Sequence, residues 1–457
     1  ETIYDSGPNG QRPAMALSDS LKSLGLKLMR FKTGTPARVD RRTIDFEKTS
    51  IQKGDPTSPA FSFLTTEMPR EQTPCYLTYT NAATHEVIRA NLHRAPMANG
   101  VIEGIGPRYC PSVETKIARF PDKDRHQLFL EPEGLHTNEI YVQGMSTSLP
   151  TDVQEAFLTT IPGLEHARIM RPGYAIEYDC LDPLQLEATL AVKHIAGLYS
   201  AGQANGTSGY EEAAAQGLVA GVNAVREIAG EEPLVLRRSD GYIGVLIDDL
   251  VTKGTDEPYR MMTSRAEYRL ILRQDNADLR LTPIGRAAHL VSDERWARFT
   301  AKRDAIEETL HLLESTKLSP SAETEARLAG AGIQPLRVPM SLFALLSREG
   351  NYDVLAPLFD LPALAADVKE EVEIMARYDG YIKKQQEQIA RMERLESRRI
   401  PKTLDYAAIT SLRLEAAEKL AAIRPRSIGQ AARISGVSPA DISVLLVYLE
   451  KERRTQS

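Results

Sequence analysis

The stretch Gly202-Gln-Ala-Asn-Gly-Thr-Ser-Gly-Tyr-Glu-Glu-Ala-Ala-Ala-Gln-Gly217 predicts a glycine-spaced turn that leads into a helix. Apolar residues 195–201 precede the turn and predict a short strand, and alanine-rich sequence follows from Tyr210. Glycines let a backbone approach a planar ligand closely, and the first turn of a helix presents free N–H groups to it. This order of elements suits a cofactor site, although an ordinary strand-to-helix crossover has the same pattern.

Upstream of the turn, the sequence has the mixed pattern of an α/β region. Residues 17–24 predict a short helix, and residues 26–33 predict a strand that ends at the turn Gly34-Thr-Pro36. Residues 41–74 are rich in Pro, Ser and Thr and predict loops. Further strands are predicted at residues 126–131, 138–143 and 174–179, the first two as a pair around Pro132-Glu-Gly134.

Downstream of about residue 231, apolar residues recur at helical spacing. Ile306, Leu310 and Leu313 form one such series. A second series predicts one long helix and consists of Met375, Tyr378, Ile382, Ile389 and Met392. The fold class predicted from these patterns is an α/β region followed by an all-α C-terminal region.

Length and composition favour an ordinary globular protein of two or three domains. The chain has 457 residues, of which 42% are hydrophobic and 26% charged. It contains no apolar run long enough to cross a membrane and opens without a signal peptide, so a cytoplasmic location is expected. A net charge of −6 argues against general affinity for nucleic acid but permits a local basic face. Three cysteines fit neither a disulfide framework nor a zinc motif, so no metal is expected.

Among the three cysteines, Cys110 is the candidate nucleophile. It directly precedes Pro111, and proline favours the first position of a helix, so a helix start is expected there. A thiol at a helix start near Arg108 and Lys116 has a lowered pKa and is a usable nucleophile. A buried structural cysteine is the alternative, and it is the interpretation that we assign to Cys75 and Cys180.

A run of arginines is the candidate site for RNA phosphates. It contains Arg260, Arg265, Arg269, Arg273 and Arg280. Arg265, Arg269 and Arg273 are four residues apart, so a helix would place them on one face that suits phosphate contacts. A solvated helix with local ion pairs is the alternative.

The segment 427–454 has the spacing of a DNA-binding helix-turn-helix. Ser438-Pro-Ala-Asp441 predicts a capped helix start. The helix that follows carries Ile442, Val444 and Leu445 among other apolar residues, which belong in a core or against a protein. A small helical module that docks a protein partner is therefore the preferred interpretation.

Several motifs, taken together, resemble those of the MnmG (GidA) family, the tRNA uridine 5-carboxymethylaminomethyl modification enzymes. The glycine-spaced turn from Gly202 is similar to the closing flavin motif of that family. The other similar stretches occur in family order and cover essentially the whole chain: Lys32-Thr-Gly-Thr-Pro36, Pro74-Cys-Tyr76, Gly106-Pro-Arg-Tyr-Cys-Pro-Ser112, Phe129-Leu-Glu-Pro-Glu-Gly134, Arg171-Pro-Gly-Tyr-Ala-Ile-Glu-Tyr-Asp179, Pro258-Tyr-Arg-Met-Met-Thr-Ser-Arg-Ala-Glu-Tyr-Arg269 and Ser427-Ile-Gly-Gln-Ala-Ala-Arg-Ile-Ser-Gly-Val437.

The resemblance implies a flavin- and folate-dependent modification of the wobble uridine of tRNA at carbon 5, by a homodimer working with the GTPase MnmE. It implies FAD, NADH and methylenetetrahydrofolate as cofactors, with Cys110 catalytic and tRNA held by Arg260, Arg265, Arg269 and Arg273. The implied FAD contacts are Gly202, Gln203, Asn205, Gly206, Thr207 and Gly209. The implied NADH contacts are Gly106, Pro107, Arg108, Tyr109, Cys110, Lys116 and Phe120.

The family begins with a glycine-rich FAD-pyrophosphate loop and a second cysteine that this sequence lacks, so we expect a truncated chain whose FAD-binding Rossmann-like domain is incomplete. Such a chain alone is expected to be inactive. The predicted domains are 1–38 (FAD-binding, part), 39–105 (insert), 106–235 (NADH segment and close of the FAD domain), 236–400 (helical) and 401–457 (partner docking). Two alternatives stay open: a folate- and FAD-dependent tRNA uridine methyltransferase, which lacks the long helical extension, and a non-catalytic RNA- or protein-binding scaffold.

Overall fold

The computed structural model describes residues 3–55, 60–65, 72–96 and 100–456. The chain forms two compact units that interleave along the sequence. The first contains Glu1–Leu186, Val192–Gly217 and Gly254–Arg260, and the second contains Glu187–Ala191, Leu218–Lys253 and Met261–Ser457. The five predicted domains assume contiguous segments, and their boundaries stay predictions.

The first unit combines a two-stranded ribbon with a six-stranded antiparallel sheet. Strands β1 and β8 form the ribbon, and the sheet has the order β3-β4-β5-β6-β2-β7. The strands are β1 Leu28–Thr35, β2 Arg38–Asp40, β3 Ser50–Gln52, β4 Cys75–Tyr79, β5 Gln127–Pro132, β6 Glu139–Gln143, β7 Ile169–Arg171 and β8 Tyr174–Leu181. The helices are α1 Met15–Ser23, α2 Ala82–Ala90, α3 Val113–Arg119, α4 Thr151–Leu158 and the start of α5 Tyr210–Ala229.

Alternation of buried side chains in the central strands explains how the sheet packs. Leu128 and Leu130 on β5, and Ile140 and Val142 on β6, are fully buried, whereas the residues between them are partly exposed. Helices α2, α3 and α4 add apolar side chains to the same core, including Ile88, Ile117 and Phe157. The sheet therefore has one face covered by helices.

The hairpin predicted around residues 132–134 is confirmed, since β5 and β6 pair antiparallel. The predicted turn at Gly34-Thr-Pro36 is partly wrong: β1 continues through Thr35 because β8 pairs with it as far as Tyr174. Residues 41–74, predicted as loops, contain β3 and two short 3₁₀ turns. Residues 56–59 and 66–71 of that prediction lie outside the described part of the chain.

The short strand predicted at residues 195–201 is wrong. This segment consists of turns and has only an isolated bridge at Tyr199. An apolar run becomes a strand only when a neighbouring strand satisfies its N–H and C=O groups. None of the described sheets includes this segment as a strand.

The second unit is mainly helical, as predicted. Its helices are the end of α5, then α6 Tyr242–Lys253, α7 Ala277–Ala287, α8 Asp293–Ser315, α9 Ala322–Gly330, α10 Leu342–Glu349, α11 Tyr352–Leu355, α12 Ala366–Glu396, α13 Leu414–Ile423, α14 Ile428–Ala432 and α15 Pro439–Gln456. This unit also contains a two-residue antiparallel strand pair, β9 Lys317–Leu318 and β10 Met340–Ser341. The long helix predicted from Met375 to Met392 is confirmed as α12. Of the helices that the structure describes, none is long and apolar enough to span a membrane.

A buried acidic pair in this unit gives its stability a pH dependence. Glu371 on α12 accepts a hydrogen bond from Arg273 Nη2 at 2.8 Å, and burial together with the carboxyl of Asp275 raises the pKa of Glu371 to about 7. The ordinary pKa of a glutamate is 4.5, so between about pH 4.5 and pH 7 the folded chain holds a proton on Glu371 that the unfolded chain has lost. The free energy of unfolding therefore falls as pH rises through that window.

We expect the substitution Glu371→Gln to raise the melting temperature relative to the parent protein at pH 8, because it removes a buried carboxylate charge. At pH 5, where the parent glutamate already carries its proton, the two proteins should melt together. Thermal melts followed by circular dichroism check this, with Glu370→Gln on the exposed side of α12 as the control. Parallel pH profiles for the parent and Glu371→Gln would refute the prediction.

Candidate active site

Two buried amide side chains hold the turn that follows residue 201. Asn205 Nδ2 donates to the carbonyl oxygen of Ser200 at 2.8 Å and to Gln216 Oε1 at 2.9 Å. Gln216 Oε1 also accepts from the backbone N–H of Gly202 at 3.0 Å. Asn205 and Gln216 are fully buried, and such bonds are costly to break where water cannot replace them. The turn is therefore fixed rigidly to the first turns of α5.

The glycines of the turn face protein rather than open space. Gly206 has a φ of 75°, and a Cβ there would lie 2.8 Å from the ring of Phe31. A Cβ at Gly209 would collide with the carboxylate of Glu212 and the guanidinium of Arg260. Gly206 and Gly209 therefore have a packing role in the turn, and the FAD contacts expected at these two glycines stay predictions.

The outward side of the turn is formed by Gln203, Ala204 and Ser208, which are exposed. Thr207 is as buried as Asn205, so neither side chain reaches solvent, and a ligand contact at these two positions would use backbone atoms. Gln203 is the exposed amide among the residues predicted to contact FAD. It lies just ahead of the N-terminus of α5, where helix N–H groups are free.

The loop that carries Cys110 lies along β1. The backbone N–H of Lys32 donates to the carbonyl oxygen of Ile105 at 3.0 Å. Glu177 Oε1 on β8 accepts from the N–H groups of Glu103 at 2.9 Å and Gly104 at 2.6 Å. A Cβ at Gly104 would lie 2.7 Å from the backbone of Phe31. Strand β1 and its partner β8 thus hold the start of the loop.

Lys32 is a buried lysine directly beneath this loop. A Cβ at Gly106 would lie 2.6 Å from Lys32 Cε, so the glycine makes room for the lysine chain. Burial lowers the pKa of Lys32, and the charge of Glu114 on α3 acts in the opposite direction. In the sequence, Lys32 stands out only as part of a motif and receives no role, because its burial cannot be deduced from the pattern.

Cys110 is exposed, as a nucleophile must be. The predicted helix start at Pro111 is wrong: α3 begins at Val113 with Ser112 as its N-cap. The thiol is nonetheless within electrostatic range of Lys116. Burial lowers the pKa of Lys116, and the charge of Cys110 opposes this shift but is the smaller effect. Lys116 Nζ donates to the carbonyl oxygen of Gly144 at 3.0 Å, which fixes its position. The positive charge near the sulfur therefore comes from the side chain of Lys116 on α3, and not from the N-terminus of a helix.

Cys75 and Cys180 have the burial expected of structural cysteines. Cys180 is buried, and this raises its pKa to about 12. Cys75 is partly buried, and burial raises its pKa as well. Raised pKa values keep both groups as unreactive thiols at neutral pH.

The turn and the loop share two supports. Phe31 contacts Gly206 through its ring and Gly104 through its backbone. The segment 254–260 makes the second link, since the N–H of Tyr259 donates to the carbonyl oxygen of Gly206 at 2.8 Å. In the same segment, Glu257 accepts from Arg108 Nε at 3.1 Å. Phe31 and residues 257–259 therefore bring the Gln203 turn and the start of the Cys110 loop to one region of the first unit.

Comparisons with known proteins match most of the chain to one family. A family model described as glucose inhibited division protein A matches residues 1–232. Models described as the helical domain and the helical bundle at the C-terminus of the tRNA modifying enzyme MnmG/GidA match residues 293–386 and 388–457. The chain belongs to the MnmG/GidA family.

Individual relatives give the extent of the similarity to MnmG/GidA proteins. The tRNA uridine 5-carboxymethylaminomethyl modification enzyme MnmG of Caldicellulosiruptor saccharolyticus is 58% identical over 456 residues, which are 99% of this chain and 73% of that protein. MnmG of Clostridium botulinum strain Loch Maree is 56% identical with the same coverage. The structure of Aquifex aeolicus GidA in its form II crystal has a TM-score of 0.88 at 45% identity, covering 98% of this chain and 72% of that one. The predicted family and fold class are confirmed.

The arginine run of this MnmG/GidA chain is not helical, so the predicted alignment on one helix face is wrong. Thr263–Arg265 form a 3₁₀ turn, and the following residues form further turns up to α7. In the first unit, Arg260 Nε lies 3.6 Å from Glu212 Oε1. In the second, Arg273 is largely buried between Asp275 and Glu371, at 2.9 and 2.8 Å. A spacing of four residues implies one face only where the backbone is helical.

The arginines of the run differ in exposure. Arg260 and Arg269 are exposed, whereas Arg265 and Arg273 are partly exposed. The backbone carbonyl of Arg265 accepts from Arg238 Nη2 at 3.2 Å, which anchors this part of the run to the segment just before α6. Arg269 is therefore better placed for an external ligand than Arg273.

The last helices form a small bundle, matched by the family's C-terminal model. The predicted start of α15 is confirmed, since Ser438 Oγ accepts from the N–H of Asp441 at 3.3 Å. Ile442 and Leu445 are buried, so much of the apolar side of α15 lies in the core. Leu414 and Val447 are 75% and 71% exposed, respectively. Of the two placements expected for the apolar residues of α15, in a core or against a protein, Ile442 and Leu445 take the core. Leu414 and Val447 stay exposed on the surface of the bundle.

Proposed function

We propose that this protein modifies the wobble uridine of tRNA at carbon 5, in a flavin- and folate-dependent reaction with MnmE as its GTPase partner. The observation that carries the proposal is the shared support of Phe31 and residues 257–259 for the Gln203 turn and the Cys110 loop. A site for a uridine needs a reactive thiol and a redox cofactor next to each other, and these two segments supply the places for both.

The Gln203 turn fits the flavin. Its buried Asn205–Gln216 clamp fixes the backbone, and its outward side presents Gln203 and Ala204, seven and six residues before the start of a 20-residue helix. The acidic residue Glu212 in the first turn of α5 opposes an anionic ligand, but Arg260 lies 3.6 Å from it and offsets its charge. FAD bound here supplies the redox chemistry, with NADH as reductant and methylenetetrahydrofolate as donor of the one-carbon unit.

We assign the nucleophile to Cys110. Its thiolate adds to carbon 6 of the uracil ring, and the π electrons move toward carbon 5 and the carbonyl oxygen at carbon 4. Carbon 5 then attacks the methylene carbon of an iminium formed from the one-carbon unit and the incoming amine, and the C=N π electrons pass to nitrogen. Carbon 5 loses its proton to solvent, and the carbon–sulfur bond breaks, which restores the ring and releases the thiolate. Lys116, fixed by its bond to the carbonyl oxygen of Gly144, lies within electrostatic range of this sulfur.

The NADH contacts are assigned to the exposed part of the same loop and to α3. Arg108, Tyr109 and Phe120 are exposed, and they offer a cation and two aromatic rings to a dinucleotide. The backbone of Gly106 and Pro107 continues this surface, and Lys116 lies behind Cys110. A charged guanidinium is suited to the pyrophosphate of NADH.

The tRNA is assigned to the arginine run, to Arg260, Arg265, Arg269 and Arg273. Arg269 is exposed, and Arg273 is held by its ion pairs with Asp275 and Glu371. We expect the double substitution Arg265→Glu and Arg269→Glu to weaken tRNA binding. The slope of the logarithm of the binding constant against the logarithm of the salt concentration should become shallower by about 0.7–0.9 for each phosphate that the variant no longer neutralises. Fluorescence anisotropy with labelled tRNA at several salt concentrations measures both quantities.

The control for that experiment is Arg303→Glu on α8, which reverses the charge of a partly exposed arginine paired with its neighbour Asp304. It should leave the affinity and slope within error of the parent. Parent-like values for the double variant would instead remove this surface from tRNA recognition.

The MnmE partner is assigned to the C-terminal bundle, where Leu414 and Val447 are exposed. Exposed apolar side chains of this size fit a protein surface better than a nucleic-acid groove. A homodimer and a cytoplasmic location complete the proposal, in keeping with a tRNA substrate. The two C-terminal models of the family favour this function over a methyltransferase that lacks the helical extension.

Nucleoside mass spectrometry of tRNA tests the function directly. Cells lacking the protein should lose the carbon-5 substituent of wobble uridine and regain it when the gene is restored. Normal nucleosides in the deleted cells would overturn the proposal, and loss of a 5-methyl group elsewhere in tRNA would favour the methyltransferase. Restoration by a Cys110→Ser variant would remove Cys110 from the mechanism.

A further inference from the structure

A row of basic, aromatic and amide side chains runs along one exposed side of α12. Its members are separated by four, three, four and three residues, which places them on the same side of an α-helix. All are exposed. At 1.5 Å per residue, the row extends over about 21 Å. The residues of this row, named the α12 stripe, are Arg377, Tyr381, Lys384, Gln388 and Arg391.

The five residues of the stripe include no acid, and three of them are cations. The exposed Glu387 lies beside Lys384 and Arg391 on the helix, whereas two other nearby acids are paired elsewhere. Asp379 pairs with Lys383 at 2.9 Å on another side of the helix. Glu393 pairs with Arg237 at 2.5 Å. Among the described residues, none forms an ion pair with Lys384 or Arg391. The stripe is therefore a locally positive surface on a chain whose net charge is −6.

The adjoining side of α12 holds the arginine run. Gln385 Oε1 accepts from the N–H of Ile271 at 3.1 Å, and Gln385 Nε2 donates to the carbonyl oxygen of Glu267 at 3.3 Å. Ile389, one turn further, packs against the apolar cluster that includes Ala266 and Leu272. The loop that carries Arg269 is thus attached to α12 immediately beside Lys384 and Gln388.

We propose that the α12 stripe binds the RNA substrate, as an extension of the surface around Arg269. Lys384 and Arg391 contact backbone phosphates, and the exposed ring of Tyr381 stacks on an unpaired base. Two cations beside an amide and one aromatic ring favour RNA over a protein surface, which would need a larger apolar centre. This inference rests on the proposed function, because it takes tRNA to be the substrate.

Charge reversal of the stripe tests the proposal in the full-length enzyme. The double substitution Lys384→Glu and Arg391→Glu should weaken binding of labelled substrate tRNA at least about tenfold near 0.1 M salt. It should also reduce the salt slope by about 1.4–1.8, because two phosphates are no longer neutralised. Tyr381→Ala should weaken binding further without changing the slope, and Tyr381→Phe should restore it, since stacking needs only the ring. Circular dichroism confirms that each variant is folded.

Lys383→Glu is the matched control. It makes the same change of charge one residue along the same helix, but on the side occupied by the Asp379 pair, and should bind tRNA as the parent does. If the parent binds tRNA and the stripe variants bind equally well, the stripe proposal is overturned and the proposed function stands. If Lys383→Glu loses as much tRNA affinity as the stripe variants, the effect comes from net charge alone, and the stripe proposal is also overturned. If the parent itself shows no tRNA binding, both proposals fall.

Discussion

Replacing Cys110 by serine abolishes modification of wobble uridine while flavin binding stays intact; this is the expected result in the full-length enzyme. A hydroxyl at this place is a far weaker nucleophile than a thiolate. We expect turnover to fall at least about a hundredfold, the lower end of the cost of removing one positioned catalytic group. The measurement is the appearance of the modified nucleoside with time, alongside the flavin absorbance of the purified protein.

Cys75→Ser is the natural control, because Cys75 is partly buried and burial raises its pKa. Its turnover should stay within a small factor of that of the parent. Unimpaired turnover by Cys110→Ser would remove this sulfur from the mechanism. Loss of flavin together with turnover would instead make Cys110 part of the binding surface.

The second large effect is expected at Gly206. A valine there has to adopt a φ of 75° and place its Cβ 2.8 Å from the ring of Phe31. The left-handed conformation alone costs about 1–2 kcal/mol for a residue with a Cβ, and the collision with Phe31 adds to it. Because Phe31 also supports the Cys110 loop, Gly206→Val should weaken flavin binding and slow uridine modification together. Flavin titration and turnover of the same preparation measure both effects.

Gly380→Ala provides the matched control. Gly380 is an exposed residue of α12 with no atom within 4 Å of a Cβ placed there, and alanine in place of an interior helix glycine stabilises by about 0.5–1 kcal/mol. This variant should melt slightly higher and bind flavin as the parent does. Parent-like flavin affinity and turnover in Gly206→Val would show that the turn does not depend on its contact with Phe31.

Elements with strong local patterns could be predicted from the sequence. The β5–β6 hairpin follows from strict alternation on both sides of a Pro-Glu-Gly turn, and α12 follows from a long apolar period of 3.6. The start of α15 follows from Ser438 and Pro439, whose capping role needs no distant partner. In each case, the information lies within a few consecutive residues.

Elements that depend on distant partners were predicted incorrectly. Residues 195–201 are apolar enough for a strand, but strand pairing is decided by neighbours far away in the chain. The arginine run has helical spacing, yet its backbone is set by the anchoring of Ile271 and Glu267 to Gln385. Proline after Cys110 marks a nearby helix, but α3 begins two residues later, at Val113.

The candidate site shows the same division. Gln203 and Cys110 stand out in the sequence because an exposed amide at a glycine-rich turn and a thiol before proline are recognisable locally. Lys32, Phe31 and Glu177 support the two segments through packing and bonds to residues far away in sequence. The sequence did contain one indication of these supports. Gly104, Gly106 and Gly206 each lie where the chain passes so close to Phe31 or Lys32 that a Cβ would collide.

Protection of Cys110 by bound flavin tests most directly whether the Gln203 turn and Cys110 share one site. Full-length enzyme is alkylated with iodoacetamide, with and without saturating FAD, and the labelling of Cys110 and Cys75 is followed by mass spectrometry. FAD should slow the labelling of exposed Cys110 severalfold and leave Cys75 unchanged, and Gln203→Ala should shift this protection to higher FAD concentration. Equal labelling rates of Cys110 with and without bound FAD would contradict a shared site.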